Sequence, residues 1–242
     1  MEQNACIIRG SDVSGAALIH KRQSELGGFT MITIATHGIT YIEPLEGSCE
    51  WYWGTDYIHG DLYEAEEVYH EQHPMNCNRL VFVHYPDGRV VEPVKGNMGQ
   101  YFGRPISYCG KAQILMADFP KSTLYIFQYD EAADQVAETA ALPLAVAGDC
   151  YNLMLKRYPL MLTRQANDGE FQIVWPQKVE FDIGETESFV ERKGNRLYFC
   201  RWHEDPDYRE EIVVRNYPAG EIVKVIPGSL LTMPDGQMWN LQ

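Results

Sequence analysis

The stretch Asn78-Arg79-Leu80-Val81-Phe82-Val83-His84-Tyr85, followed by Pro86-Asp87-Gly88 and then Arg89-Val90-Val91-Glu92-Pro93-Val94, decides the fold class. Leu80 to Val83 form an unbroken run of strand length, rich in β-branched and aromatic side chains, and Asp87-Gly88 is a strong tight-turn signal. The phrase returns in degenerate form. Gly110-Lys111 opens the run Ala112-Gln113-Ile114-Leu115-Met116-Ala117, and Asn167-Asp168-Gly169 separates 160–164 from 171–175. Gly194-Asn195 leads into Arg196-Leu197-Tyr198-Phe199-Cys200-Arg201-Trp202. A phrase that recurs every few dozen residues marks stacked or radially arranged β-units.

Helical periodicity is confined to Asp61-Leu62-Tyr63-Glu64-Ala65-Glu66-Glu67-Val68-Tyr69, while 131–138 falls where the repeat needs a turn and a strand. The 242 residues include 15 Tyr, 9 Phe and 5 Trp, side chains that suit pleated, half-buried surfaces. The net charge of −14 is spread along the chain without a basic patch, which argues against nucleic-acid partners. No window approaches a membrane-spanning run and Met1 to Gly10 lacks an apolar leader, so the expected setting is cytoplasmic, away from membranes. Six cysteines without a C-x-x-C pair read as small buried hydrophobes.

Aligned on itself, the phrase divides a single domain, 1–242, into units at 14–47, 60–96, 100–143, 148–181 and 184–228. The remainder, 229–242, with the turn Pro234-Asp235-Gly236, is too short for a unit and matches the shortness of the first. Units of roughly 40 residues with three or four short strands each resemble a five-bladed β-propeller. The resemblance implies an all-β ring closed by C-terminal strands pairing with the N-terminal blade, which would remove exposed strand edges. A two-sheet β-sandwich is the alternative.

In such a ring the innermost strands converge on a central channel, where ligands collect. The alignment puts Asp61, Glu64, Arg104, Asn152, Glu187 and Ser188 there. Charged groups so placed need partners or water. Arg104 among Asp61, Glu64 and Glu187 would form an electrostatic plug, and its replacement by Ala would then cost a few kcal/mol. Trp51 to Tyr63 gathers five aromatic rings, His59 and two carboxylates into thirteen residues, a composition suited to a polyhydroxylated ligand and equally to a packed loop. Trp202 precedes an acidic turn, Glu204-Asp205-Pro206-Asp207, that does not follow a calcium-loop spacing. His70 and His73 are cut off from a shared helical metal site by Pro74.

No metal or cofactor is expected, and nucleophile-elbow, phosphate-loop, dinucleotide and zinc-protease motifs are absent from the sequence. Two readings of function follow. One is a non-catalytic module binding a small molecule, glycan or protein, with Trp51, Trp53, His59, Arg104, Asn152, Arg164 and Trp202 as its ligand-binding side chains. The other, implied by the resemblance to propeller glycoside hydrolases, uses Asp61, Glu64 and Glu187 as catalytic carboxylates. Convergence of those acids on an open channel, as opposed to closure by Arg104 and Arg164, separates the two.

Overall fold

The computed structural model describes residues 22–26, 29–233 and 235–242. The segment Met1 to Gly10 with Cys6, residues 14–21 and 27–28 of the first expected unit, and Pro234 of the last turn lie outside them.

The chain divides into two compact units at Ala35/Thr36. Within the first, β1 (Arg22–Leu26) and β2 (Phe29–Thr33) form an antiparallel hairpin, with Arg22 opposite Thr33 and Leu26 opposite Phe29.

The second unit is a propeller-like series of four small antiparallel sheets. Sheet one comprises β3 (Glu43–Pro44), β4 (Trp51–Thr55), β5 (Leu80–His84) and β6 (Val90–Val91), with α1 (Leu62–His70) inserted between β4 and β5. Sheet two runs β7 (Gln100–Phe102), β9 (Lys111–Asp118), β10 (Thr123–Asp130), β11 (Gln135–Pro143), with β8 (Ile106–Tyr108) also on β9. Sheet three is β12 (Met154–Lys156), β13 (Met161–Gln165), β14 (Glu170–Trp175) and β15 (Val179–Asp182). Sheet four is β16 (Glu187–Lys193), β17 (Arg196–His203), β18 (Arg209–Asn216) and β19 (Ile222–Pro227). A separate two-stranded sheet, β20 (Ser229–Thr232) with β21 (Met238–Leu241), follows.

Alternation along each strand explains the stacking. On β9, Ile114 and Met116 pack with Trp51, Trp53 and Phe82 of sheet one. Leu115 and Ala117 face the other way and pack with Leu155, Leu162 and Val174 of sheet three. Successive side chains point to opposite faces, so a strand buried on both sides must read as a continuous apolar run. A third cluster joins Met161, Phe171 and Ile173 of sheet three to Phe189, Leu197, Phe199 and Val213 of sheet four. The hairpin turns follow their glycines where the backbone demands it. Gly88 closes the β5–β6 turn at φ +72°, and a Cβ on Gly220, at φ +75°, would stand 2.3 Å from the Phe181 ring.

Two expectations are corrected. The all-β class and the propeller-like arrangement hold, but the propeller-like series has four sheets, not five, and β20 and β21 pair with each other in a sheet of their own. The repeated phrase marks hairpins, and residues 39–42 form no strand but a loop leading to the two-residue β3. The sheet expected over 60–96 therefore starts at Glu43, with α1 as an insertion. The cysteine reading is also too general. Cys150 is buried and Cys77 and Cys200 partly so, but Cys49 and Cys109 are exposed. Among the described residues, no helix is long and apolar enough to cross a membrane.

Candidate functional site

β3, β12 and β16 each pair on one side only within their sheets, and the short β7–β8 segment does the same for sheet two. Along the first strands of sheets one, two and three lies a cavity of about 260 Å³. Sheet one supplies Glu43, Trp53 and Thr55 to its wall, and the following loop Tyr57, Gly60 and Asp61. Phe102, Gly103 and Arg104 come from the β7–β8 turn, and Cys150, Asn152, Leu153 and Met154 from the entry to β12. A second cavity of about 180 Å³ shares Asn152 and Met154 with the first and continues along Lys156, Thr163, Gln165, Ser188 and Phe189.

The polar groups of the larger cavity have distinct states. Arg104 Nη2 lies 3.1 Å from Glu43 Oε1, with the Arg104 side chain 52% exposed. Burial, and next the carboxylate of Glu43, push the Tyr57 phenol upward, so it stays protonated at neutral pH and can donate a hydrogen bond. Tyr57 itself sits at φ +47°. Trp53 is only 3% exposed, and its indole Nε1 has no hydrogen-bond partner among the described residues. A buried donor left unpaired costs roughly 1–3 kcal/mol.

The acids expected to converge are already engaged, Asp61 and Glu64 at the start of α1 and Glu187 with Arg215. Asp61 is the N-cap of α1, accepting from the backbone N–H groups of Tyr63 (2.9 Å) and Glu64 (3.0 Å), and Glu64 accepts from the Asp61 N–H at 2.8 Å. This reciprocal capping satisfies donors that a helix start leaves orphaned. Glu187 is 1% exposed and is held by Arg215, whose Nε donates to Oε2 at 3.0 Å and Nη2 to Oε1 at 3.1 Å; Arg201 Nη1 stands 3.6 Å away. Arg164 closes no channel carboxylate. It is 7% exposed and donates to Asp149 through Nε (2.7 Å) and Nη2 (2.6 Å) and to Glu170 through Nη1 (2.9 Å).

The plug is thus corrected: Arg104 pairs with Glu43, not with Asp61, Glu64 or Glu187. An exposed ion pair contributes little. Arg104→Ala is therefore expected to lower unfolding stability by less than about 1 kcal/mol in urea titration, and a loss of several kcal/mol would contradict this placement.

Of the other ligand-binding candidates, Trp53, Arg104 and Asn152 line the larger cavity together with Asp61. Trp51 packs in the interface between sheets one and two, edge-on to Phe82 at 6.5 Å, with Arg89 over its ring at 5.1 Å. His59 donates its backbone N–H to the Tyr101 hydroxyl at 3.2 Å, outside the cavity wall. That hydroxyl donates in turn to Gly60 O at 2.7 Å, and burial raises its pKa to about 12. Trp202 stands 42% exposed at the end of β17, opposite Glu210. His70 and His73 face separate carboxylates, Glu66 at 3.7 Å and Glu71 at 3.3 Å. No group of three or more metal-ligating side chains is found among the described residues.

Glu43, Tyr57 and Lys156 were not legible as site residues. A two-residue strand has no periodicity, and Lys156 follows an apolar run without any local sign that its end faces a cavity.

Fold and cavity define a class, an all-β protein of propeller-like small sheets with a cavity lined from three of them. No protein-family model matches the chain, and neither does any curated protein.

Proposed function

We propose that the protein is a non-catalytic binding module whose central cavity takes a small polyhydroxylated molecule. The observation that carries this reading is the Arg104–Glu43 pair, Nη2 to Oε1 at 3.1 Å, in one cavity wall with the Asn152 amide. Hydroxyl groups are both donors and acceptors, so one ligand can answer Arg104, Glu43 and the Asn152 amide together. The Trp53 and Tyr63 rings supply apolar faces for C–H groups. The volume, about 260 Å³, lies just under the usual 300–1,000 Å³ of small-molecule sites and favours a ligand of monosaccharide size.

A glycoside-hydrolase role has no support of this kind. Such chemistry needs two free carboxylates facing one bond at about 5–5.5 Å or 6.5–9.5 Å. Asp61 and Glu64 are committed to the α1 cap and Glu187 to Arg215.

The test is a thermal-shift screen of sugars and polyols followed by calorimetry. A ligand at a hundredfold its Kd is expected to add about 2.7 kcal/mol of stability. Arg104→Ala removes the charged donor of the wall and is expected to weaken binding by about tenfold. A ligand whose affinity is unchanged in Arg104→Ala would place binding elsewhere.

A further inference from the structure

The smaller cavity differs from the larger in its charge. Lys156, the last residue of β12, reaches into it with its Nζ 5.9 Å from the centre of the Phe189 ring. No carboxylate forms an ion pair with Lys156 among the described residues; Lys111, Lys121, Lys178 and Lys193 each have one, and Lys95 and Lys224, which have none, are exposed where Lys156 is half-buried. The remaining wall is neutral: Asn152, Met154, Thr163, Gln165, Phe171 and Ser188. Two more distant charges act on the amine from neighbouring elements, Glu46 of the β3–β4 turn, which favours its protonation, and Arg104 of the β7–β8 turn, which opposes it. A shielded cation without a counter-charge is unfavourable in any protein.

The other polar groups of the wall do not compete for an anion. Gln165 is committed through both ends of its amide, donating to Glu187 O at 2.6 Å and accepting from the Phe189 N–H at 3.3 Å. Thr163 Oγ1 donates to Met154 O at 3.3 Å. Ser188 is exposed on β16, free to add a hydroxyl donor beside the amine. Because Asn152 and Met154 belong to both cavities, one ligand can occupy the hydroxyl-matching cavity and present a negative group to Lys156.

We propose that the Lys156 cavity is an anion subsite of the central hollow, and that the ligand is an acidic polyhydroxylated molecule, a sugar acid whose carboxylate meets the Lys156 ammonium. This rests on the binding reading above and narrows it from hydroxylated molecules to acidic ones. Burial lowers the pKa of the free amine, with Arg104 adding to that and Glu46 opposing it. A bound carboxylate reverses the balance by favouring the ammonium, so binding takes up a proton where the free amine is partly neutral. Affinity accordingly falls as pH rises through the amine's lowered range.

The experiment is calorimetry with D-glucuronate and D-glucose on the parent protein, Lys156→Gln and Lys156→Arg, with circular dichroism as a check on folding. The parent is expected to bind glucuronate at least tenfold tighter than glucose, and Lys156→Gln to erase that preference. Lys156→Arg should keep the preference but lose the pH-linked proton uptake, seen by repeating the titration in buffers of different ionisation enthalpy. Glucose binding without a preference for glucuronate, or a preference that survives Lys156→Gln, overturns the anion subsite and leaves the binding reading standing. If neither sugar binds the parent, both fall.

Discussion

Arg215→Ala is expected to lower the unfolding free energy by roughly 3–5 kcal/mol, the cost of leaving a buried charge without its partner. Arg215 is 7% exposed and Glu187 1%, and their guanidinium and carboxylate meet through two hydrogen bonds. Arg215 also donates to Gly220 O at 2.7 Å, fixing the turn before β19. Truncation leaves the Glu187 carboxylate with only Arg201, whose Nη1 is 3.6 Å away and whose stronger bond, at 2.6 Å, goes to Glu211. Replacing both partners by methionine removes the orphaned charge, so the double variant Glu187→Met/Arg215→Met should recover much of the loss. Denaturant titration of the three proteins checks this. A loss under 1 kcal/mol for Arg215→Ala would mean that the pair is not shielded from water.

Phe171→Ala should cost a similar amount, about 3–5 kcal/mol, for a different reason. Phe171 is fully buried on β14 and touches three other rings, Phe181 at 5.2 Å, Phe189 at 4.9 Å and Phe199 at 5.1 Å between centroids. These rings come from sheets three and four, so the cluster is the contact between the two sheets. Removing its centre loses transfer free energy and leaves a cavity that stiff, interlocked rings cannot easily fill. For a chain of this size the two variants should each melt roughly 6–20 °C lower, at about 2–4 °C per kcal/mol. Phe171→Leu, which fills more of the volume, should fall much less. An equal loss for both substitutions would show that ring packing is not what joins the sheets.

The two expected losses arise from features of unequal visibility. Phe171 stands in the run 171–175 after Asn167-Asp168-Gly169, and its burial follows from the pattern alone. The Glu187–Arg215 pair spans 28 residues and two sheet strands; either residue read locally is an ordinary charged side chain. The same contrast holds at the site. The density of rings at Trp51 to Tyr63 pointed to one wall, and Trp53, Asp61, Arg104 and Asn152 do meet at the larger cavity. Asp61 and Glu64 looked like channel acids because a carboxylate in a capping box has the same letters as one in a cleft. The S/T/D-x-x-E spacing beside a helical period was the available signal of the cap.

The number of sheets was misread for a related reason. Hairpin turns are encoded within a few residues, so runs such as 80–84, 111–118 and 196–203 are recognisable singly. Which hairpins share a sheet depends on hydrogen bonds from short first strands, β3 with two residues and β12 with three, that carry almost no pattern.

From the amino-acid sequence alone follow the all-β class, the repeated hairpins, the single short helix and the two-sided burial of the central strands. These are written in periodicity and turn chemistry, which act over a handful of neighbouring residues. The count of four sheets, the pairing of Glu187 with Arg215, the engagement of Arg104 by Glu43 and the placement of Lys156 without a carboxylate were decided by the tertiary structure. Each depends on side chains brought together from distant strands, where distance and shielding from water, not residue type, determine what a charge can do.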